Sequence, residues 1–328
     1  MRLQYTFDLT LILDSDRFNE LLNRVYSKSE YGGSEKLVDQ SLVFKGILVT
    51  YHDKQYKKKV RLTVNMNLLL DGDEPDEDNS DKLIRKLEKR IDSYFGSMLQ
   101  LDDFYVSKVC LVTDINVGCR DNVTDYIRVL QRIGKVKFFS PSCDDKISEE
   151  ISFCLDGNSN GLAFRIYDLE AWFNEQTNDE DTESKEQNTQ AKKSVGLLRT
   201  EVRLMKSNAI RTFTDRLVAS DQITDFCGKG RKIFLDVLQW VIPFGAFFKK
   251  DKAVEIIIKK VTDTKIRRRM LQLVALVSEK KSLLLAQKAL SYRRIDEVME
   301  EFRDIEVSPI TISRRHDVKQ LDNLYKYM

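Results

Sequence analysis

Through the first 120 residues, apolar side chains recur at every second position in some stretches and at helical spacing in others. Tyr5 to Leu13 alternates and predicts a β-strand, and Asp16 to Tyr26 carries a helical pattern. A hairpin is predicted from Leu42 to Asn67, where Gly46-Ile47-Leu48-Val49-Thr50-Tyr51 and Val60-Arg61-Leu62-Thr63-Val64 flank the basic tip Lys57-Lys58-Lys59. Leu83, Ile84, Leu87, Ile91 and Tyr94 predict an amphipathic helix over Lys82 to Tyr94 that covers a sheet. The run from Phe104 to Val117 is again a strand, with Val112, Asp114 and Asn116 on one face and Leu111, Thr113, Ile115 and Val117 on the other.

Two further strand-like segments are Ala163-Phe164-Arg165-Ile166-Tyr167-Asp168-Leu169-Glu170 and Leu198-Arg199-Thr200-Glu201-Val202-Arg203-Leu204. Alternation puts Arg165 and Tyr167 on one face of the first, and Arg199, Glu201 and Arg203 on one face of the second. Residues 174 to 187 between them contain no apolar side chain, so 174–191 reads as a flexible acidic insertion carried by a hairpin. From Ser207 the period turns helical. Val237 to Phe248 reads as a buried helix and turn, Lys265 to Leu290 and Ser291 to Phe302 as two helices, and Pro309 to Ser313 as a short strand.

No repeat of fixed period is present. These elements predict an α+β protein: a curved, mostly antiparallel sheet with helices on one face, which two similar halves could build, followed by a C-terminal helical module. The expected division is an α+β domain over 1–206 and a helical, basic, DNA-binding module over 207–328.

Charge changes the picture. The net +2 hides 29 Lys+Arg against 17 Asp+Glu from Lys192 onward, a balance of +12, which leaves −10 for the first 191 residues. A basic half can bind a polyanion through counterion release, or simply be a solvated face. Its candidate DNA contacts are Arg267, Arg268, Arg269, Arg293, Arg294, Arg314 and Arg315, near the predicted turns. The five cysteines lack CxxC spacing and an even count, which argues against a disulfide framework or a zinc site and for a reducing cytoplasm. No run approaches the roughly 20 apolar residues of a membrane span. The acidic loop Asp71 to Asp78 lacks the ligand spacing of a calcium loop.

There is no GxxxxGK[ST] or GxGxxG, and His52 and His316 are the only histidines, so a nucleotide-cradling loop and a Ser-His-Asp triad are unsupported. Tyrosine and carboxylate chemistry remains. A hydroxyl nucleophile (Tyr167), guanidiniums for phosphate oxygens (Arg165, Arg203) and hard oxygen donors for Mg²⁺ or Mn²⁺ (Asp114, Glu201, with Glu170 or Asp168) are the parts that attack on a phosphodiester requires. Cross-strand ion pairs and a packed tyrosine would give the same pattern.

The order "LVTDINV", "FRIYDLE", insertion, "LLRTEVRL" resembles phage and plasmid rolling-circle replication initiators, particularly the trans-acting plasmid initiators and related phage/plasmid replication proteins. The tail from Arg267 to Ile312 is similar to their carboxy-terminal helical part. The resemblance implies nicking of one origin strand at a DNA hairpin, a 5′-phosphotyrosine linkage, metal dependence and a recruited host helicase. By position, Tyr167 matches the nucleophile, and Asp114 and Glu201 match acids of the metal-bearing sheet. Two positions depart from the family: Lys108-Val109-Cys110 stands where Arg-Ile-Asp is usual, and Leu169 replaces a lysine. The expectation is therefore a metal-dependent DNA nickase and strand transferase in a bacterial cytoplasm. Its expected partners are origin DNA, duplex and single-stranded hairpin, and a second copy of itself. The alternative is a sequence-specific DNA-binding regulator or adaptor on the same scaffold, without catalysis.

Overall fold

In the computed structural model, which describes all residues except 26–34, 55–56, 144–146, 158–160 and 179–184, the alternating segments become one nine-stranded antiparallel sheet. The first half supplies β1 (Gln4–Leu13), α1 (Ser15–Val25), β2 (Lys36–Asp39), β3 (Ile47–Lys54) and β4 (Lys57–Asn65). The last residue of the expected first helix, Tyr26, lies outside the described residues. Asn65 ends β4 and caps the short α2 (Met66–Leu69) by accepting from the Leu68 amide at 3.1 Å, and α3 (Ser80–Phe95) follows. The second half repeats the plan with β5 (Tyr105–Asn116), α4 (Arg120–Gln131), β6 (Phe139–Pro141), β7 (Ser152–Gly157), β8 (Leu162–Asp168), α5 (Leu169–Asn178), α6 (Lys185–Lys193) and β9 (Leu197–Leu204). The carboxy-terminal part contains α7 (Ser207–Arg211), α8 (Ala219–Val241), β10 (Phe247–Phe248), α9 (Lys250–Lys260), α10 (Thr264–Lys280), α11 (Leu283–Leu290), α12 (Ile295–Asp304) and β11 (Gln320–Leu321).

Strand order is β2-β3-β4-β1-β5-β9-β8-β7-β6. Tyr5, Phe7 and Leu9 of β1, Leu62 and Val64 of β4, Val109 and Leu111 of β5, and Phe164 and Ile166 of β8 are buried on one face. Helices cover that face: Phe18 of α1 meets Tyr51 edge-on, and Phe226 of α8 meets Phe7. Most of the polar alternates project to the other face, with Thr113, Thr200 and Asp168 on the buried one. One continuous apolar cluster runs from Leu3 to Leu324, so side chains on both sides of residue 206 share a core.

The two halves are related by a pseudo-twofold axis through the Phe7–Val109 pair of the central strands. Gly46 and Gly161, both with positive φ, precede β3 and β8. From there the registers run in step: Ile47 pairs Val64 and His52 pairs Lys59, as Leu162 pairs Leu204 and Tyr167 pairs Arg199. Phe7 pairs Val64 and Ile12 pairs Lys59, as Val109 pairs Leu204 and Asp114 pairs Arg199. Both halves therefore place their innermost strand, then their last strand, then a hairpin outward.

Three expectations are corrected. Both described ends of the 174–191 insertion are helical, in α5 and α6, because Glu, Gln, Lys and Ala favour helix where no glycine or proline interrupts; residues 179–184 lie outside the described residues. The helix expected over Lys265 to Leu290 is two, since Lys281 adopts a left-handed conformation (φ 49°) and the Ser282 hydroxyl caps α11 by accepting from Leu285. Pro309 to Ser313 forms no strand: Ile312 makes one parallel bridge to Lys249, and the segment is held by burial of Ile310 and Ile312.

Helix α8 lies on β1 where Gly230 meets the Tyr5 ring, and a Cβ there would overlap the ring and its hydroxyl. Gly230→Ala is expected to lower stability by about 1–3 kcal/mol in denaturant unfolding through overpacking. Gly228→Ala, whose Cβ would sit in ordinary contact 3.7 Å from Glu77, is expected to raise it by about 0.5–1 kcal/mol through helix propensity alone.

Candidate functional site

The registers of β5, β9 and β8 bring Asp114, Arg199, Glu201, Arg203, Arg165 and Tyr167 onto one sheet face. The Tyr167 hydroxyl donates to Glu201 Oε1 at 2.7 Å, and Glu201 Oε2 accepts from Arg203 Nε at 2.6 Å. Arg199, paired across from Tyr167, makes a two-pronged contact with Asp114, Nε to Oδ1 at 2.7 Å and Nη2 to Oδ2 at 2.9 Å. Phenol, two carboxylates and two guanidiniums thus form one cluster over three strands.

Not every expected member joins it. Arg165 is 6% exposed and turns toward β7, donating to the Leu155 carbonyl at 2.8 Å and to Asp156 Oδ1 at 2.6 Å. Glu170, in the first turn of α5, is held by Arg120 through both oxygens, with Nε at 3.0 Å from Oε2. Asp168 lies in the alternate register from Tyr167 and accepts from the Ala171 amide at 3.0 Å, closing the first turn of α5. Cys110 sits across from Arg203; burial, and then Glu201, push its thiol up to about 12. Tyr126, a second tyrosine near the sheet, lies on α4 on the helical side, where its hydroxyl donates to the Asp322 carbonyl at 2.8 Å.

The cluster is closed. Tyr167, Ile147 and Leu169 form a satellite core with Ile151, Trp172, Phe173 and Leu197, and Tyr167 is 3% exposed with the Trp172 ring 6.1 Å away. Burial, and then the Glu201 charge, hold the phenol well above its ordinary pKa, so it is protonated at neutral pH. Trp172 and Arg120 are the neighbours that sequence reasoning passed over. Five residues beyond Tyr167, Trp172 has no strand-period relation to it, because α5 folds it back over the face.

As cation ligands, Asp114 and Glu201 stand at diagonal positions on adjacent strands and present oxygens, the donors that a hard divalent ion takes. Among the described residues no three of His, Cys, Asp and Glu converge as a ligand set. Of the expected carboxy-terminal contacts, Arg268, Arg293 and Arg315 are exposed. Arg267 donates to the Val261 carbonyl, Arg269 lies 5.2 Å over the Tyr292 ring, Arg294 pairs with Glu297 and Arg314 with Asp251.

No family model matches the sequence, and no curated protein matches it. Solved structures similar to it include a rolling circle replication initiator protein from Geobacillus stearothermophilus, 10% identical over 73% of this chain and 85% of that one, with a TM-score of 0.31. A TM-score that low does not establish a shared arrangement of elements, and the functional reading rests on this chain's own residues. No helix among the described residues is long and apolar enough to cross a membrane.

Asp114→Asn leaves the Arg199 guanidinium without its carboxylate beside Tyr167 and is expected to cost about 1–3 kcal/mol of stability. In a double-mutant cycle with Arg199→Gln, the two losses should sum to more than the double variant loses, the signature of a direct pair.

Proposed function

We propose that this chain binds DNA across the polar face of its sheet to start replication at a plasmid or phage origin, and that Tyr167 cuts one strand. The observation that carries the reading is the Tyr167 hydroxyl on Glu201 at 2.7 Å, inside a row of guanidiniums. Glu201 is placed to accept the phenolic proton as the Tyr167 oxygen bonds to phosphorus. The P–O3′ bond then breaks, the 3′ oxygen leaves, and the 5′ phosphate stays on Tyr167. Arg199 and Arg203, which now hold Asp114 and Glu201, offer the same planar donors to phosphate oxygens. Asp114 and Glu201 would hold Mg²⁺ or Mn²⁺, which when bound supplies Lewis-acid polarisation of the phosphate. In this reading the closed phenol is the resting state, and α5 with Trp172 must move aside for DNA. Arg268, Arg293 and Arg315 would add phosphate contacts from the helical part.

The burial of Tyr167 and the Cys110 thiol beside Glu201 and Arg203 favour a second reading, origin binding without cutting. Incubation with supercoiled origin DNA and Mn²⁺ separates the two. Nicked product with protein on its 5′ end, abolished in Tyr167→Phe while Kd changes less than about twofold, supports the enzyme. Binding with no nick and no adduct supports the second reading. An adduct that survives Tyr167→Phe removes Tyr167 from the nucleophile's role.

A further inference from the structure

The pseudo-twofold axis gives the Tyr167 cluster a counterpart in the amino-terminal half. Superposing the registers carries Tyr167 onto His52, Arg199 onto Lys59, Glu201 onto Arg61, Asp114 onto Ile12 and Ser152 onto Lys36. At these positions both carboxylates are gone, one replaced by an exposed isoleucine and the other by an arginine. Lys36, Lys59 and Arg61 thus surround a histidine on the sheet face where the other half pairs each arginine with an acid.

Two observations show that Lys59 and Arg61, with the His52 ring between them, are unsatisfied within the chain. His52 Nε2 and Arg61 Nε are shielded from solvent and have no hydrogen-bond partner, which is costly unless something outside the chain supplies an acceptor. Among the described residues Lys59 and Arg61 take part in no ion pair. Burial, and then the charges of Lys59 and Arg61, push the His52 imidazole down to about 4, and burial, and then Arg61 and Lys57, hold the Lys59 ammonium below its ordinary range. The two halves also differ in cover. Between β8 and β9 stand α5 and α6, with Trp172 over Tyr167, whereas β3 and β4 are joined by two residues only, too few for a helix between them.

We infer that His52, Lys59, Arg61 and Lys36 form a second, non-cleaving phosphate site that holds the DNA backbone on the sheet face, five strands across from Tyr167. Neighbouring strands lie about 4.8 Å apart, which gives roughly 24 Å across the sheet, and the two sites are offset along the strands by about ten residues, roughly 34 Å, so they lie roughly 40 Å apart. At about 3.4 Å of duplex axis per base pair that is roughly twelve base pairs, a length that one DNA can span. Neutral His52 offers one N–H donor, Lys59 a mobile ammonium and Arg61 a fork, all donors suited to phosphate oxygens.

This inference rests on the DNA-binding part of the proposed function and not on Tyr167 chemistry. The test is fluorescence anisotropy with a labelled single-stranded oligonucleotide and with the same sequence as duplex, over a salt series. Lys59→Gln/Arg61→Gln is expected to weaken binding about tenfold or more and to reduce the slope of log K against log salt by about 1.8 on duplex or about 1.4 on single strand; the arm with the larger change identifies the form held. Melting curves of the variant report its folding. Independently of any variant, DNA should protect Lys36 and Lys59 of the wild-type chain from acetylation while leaving Lys82 and Lys89, exposed on α3, unprotected. Unchanged affinity and slope with a folded variant, or equal acetylation with and without DNA, overturns the site. Failure to form an adduct with these effects intact removes only the nicking reading, and a wild-type chain that binds neither DNA removes both.

Discussion

The antiparallel pairing of β1 with β5 about Phe7 and Val109 is the constraint on which the rest of the molecule depends. Each strand shows an apolar side to the helices and a polar side to the other face, so the central register decides what every outer strand presents. A slip of β1 by one residue would turn Tyr5, Phe7 and Leu9 toward the polar face and bring Asp8 under the helices. The packing around the pair resists that slip: Phe226 sits edge-on to Phe7, and Gly230 allows α8 close enough to enclose Tyr5. The polar face is the consequence, a single surface across nine strands whose chemistry is set by alternates that the core does not need.

That surface is symmetric in backbone and asymmetric in charge. In the second half, guanidiniums and carboxylates neutralise one another and a helical insertion lies over them. In the first half, the equivalent positions are cationic and no helix is inserted there. The same geometry thus yields a paired, closed cluster and an unpaired one. The difference arises from substitutions at exchangeable polar positions, which leave the apolar face and hence the fold untouched.

Much of the fold is legible in the sequence because alternation is a direct consequence of strand geometry: β1, β3, β4, β5, β8 and β9 fall close to their expected bounds. The break between α10 and α11 is not legible, since one left-handed lysine inside an unbroken helical pattern leaves no periodic mark. Pro309 to Ser313 reads as a strand because burial alone selects the same residue types. At the site, period two correctly groups Tyr167 with Glu201, Arg203 and Asp114, yet it cannot say where a long side chain reaches. Arg165 shares that face and spends its guanidinium on β7, and Glu170, close in sequence, is taken by Arg120. The symmetry is hidden for a similar reason. The halves keep a glycine, a register and an apolar alternation, which many residue pairs satisfy, and no fixed period survives an insertion in one half only.

Electrostatics gives the asymmetry a direction. A guanidinium on a carboxylate is a short dipole whose field fades within a few ångströms, and cover by Trp172 leaves little of it at the surface. Lys59 and Arg61, with no acid partner, act as net charges whose potential extends over the Debye length of about 8 Å at physiological ionic strength. A polyanion nearing the sheet therefore feels the amino-terminal half first, although the reactive groups lie in the other half. Engaging the Tyr167 cluster then requires phosphate to compete with Asp114 and Glu201 for donors already satisfied and to displace apolar cover. Holding the chain at the unpaired site raises the local concentration of phosphate over the paired one, so the weaker, slower step becomes intramolecular. The division between a half that attracts and a half that is kept neutral until occupied follows from which alternates carry acids and from the helical insertion that only the second half carries.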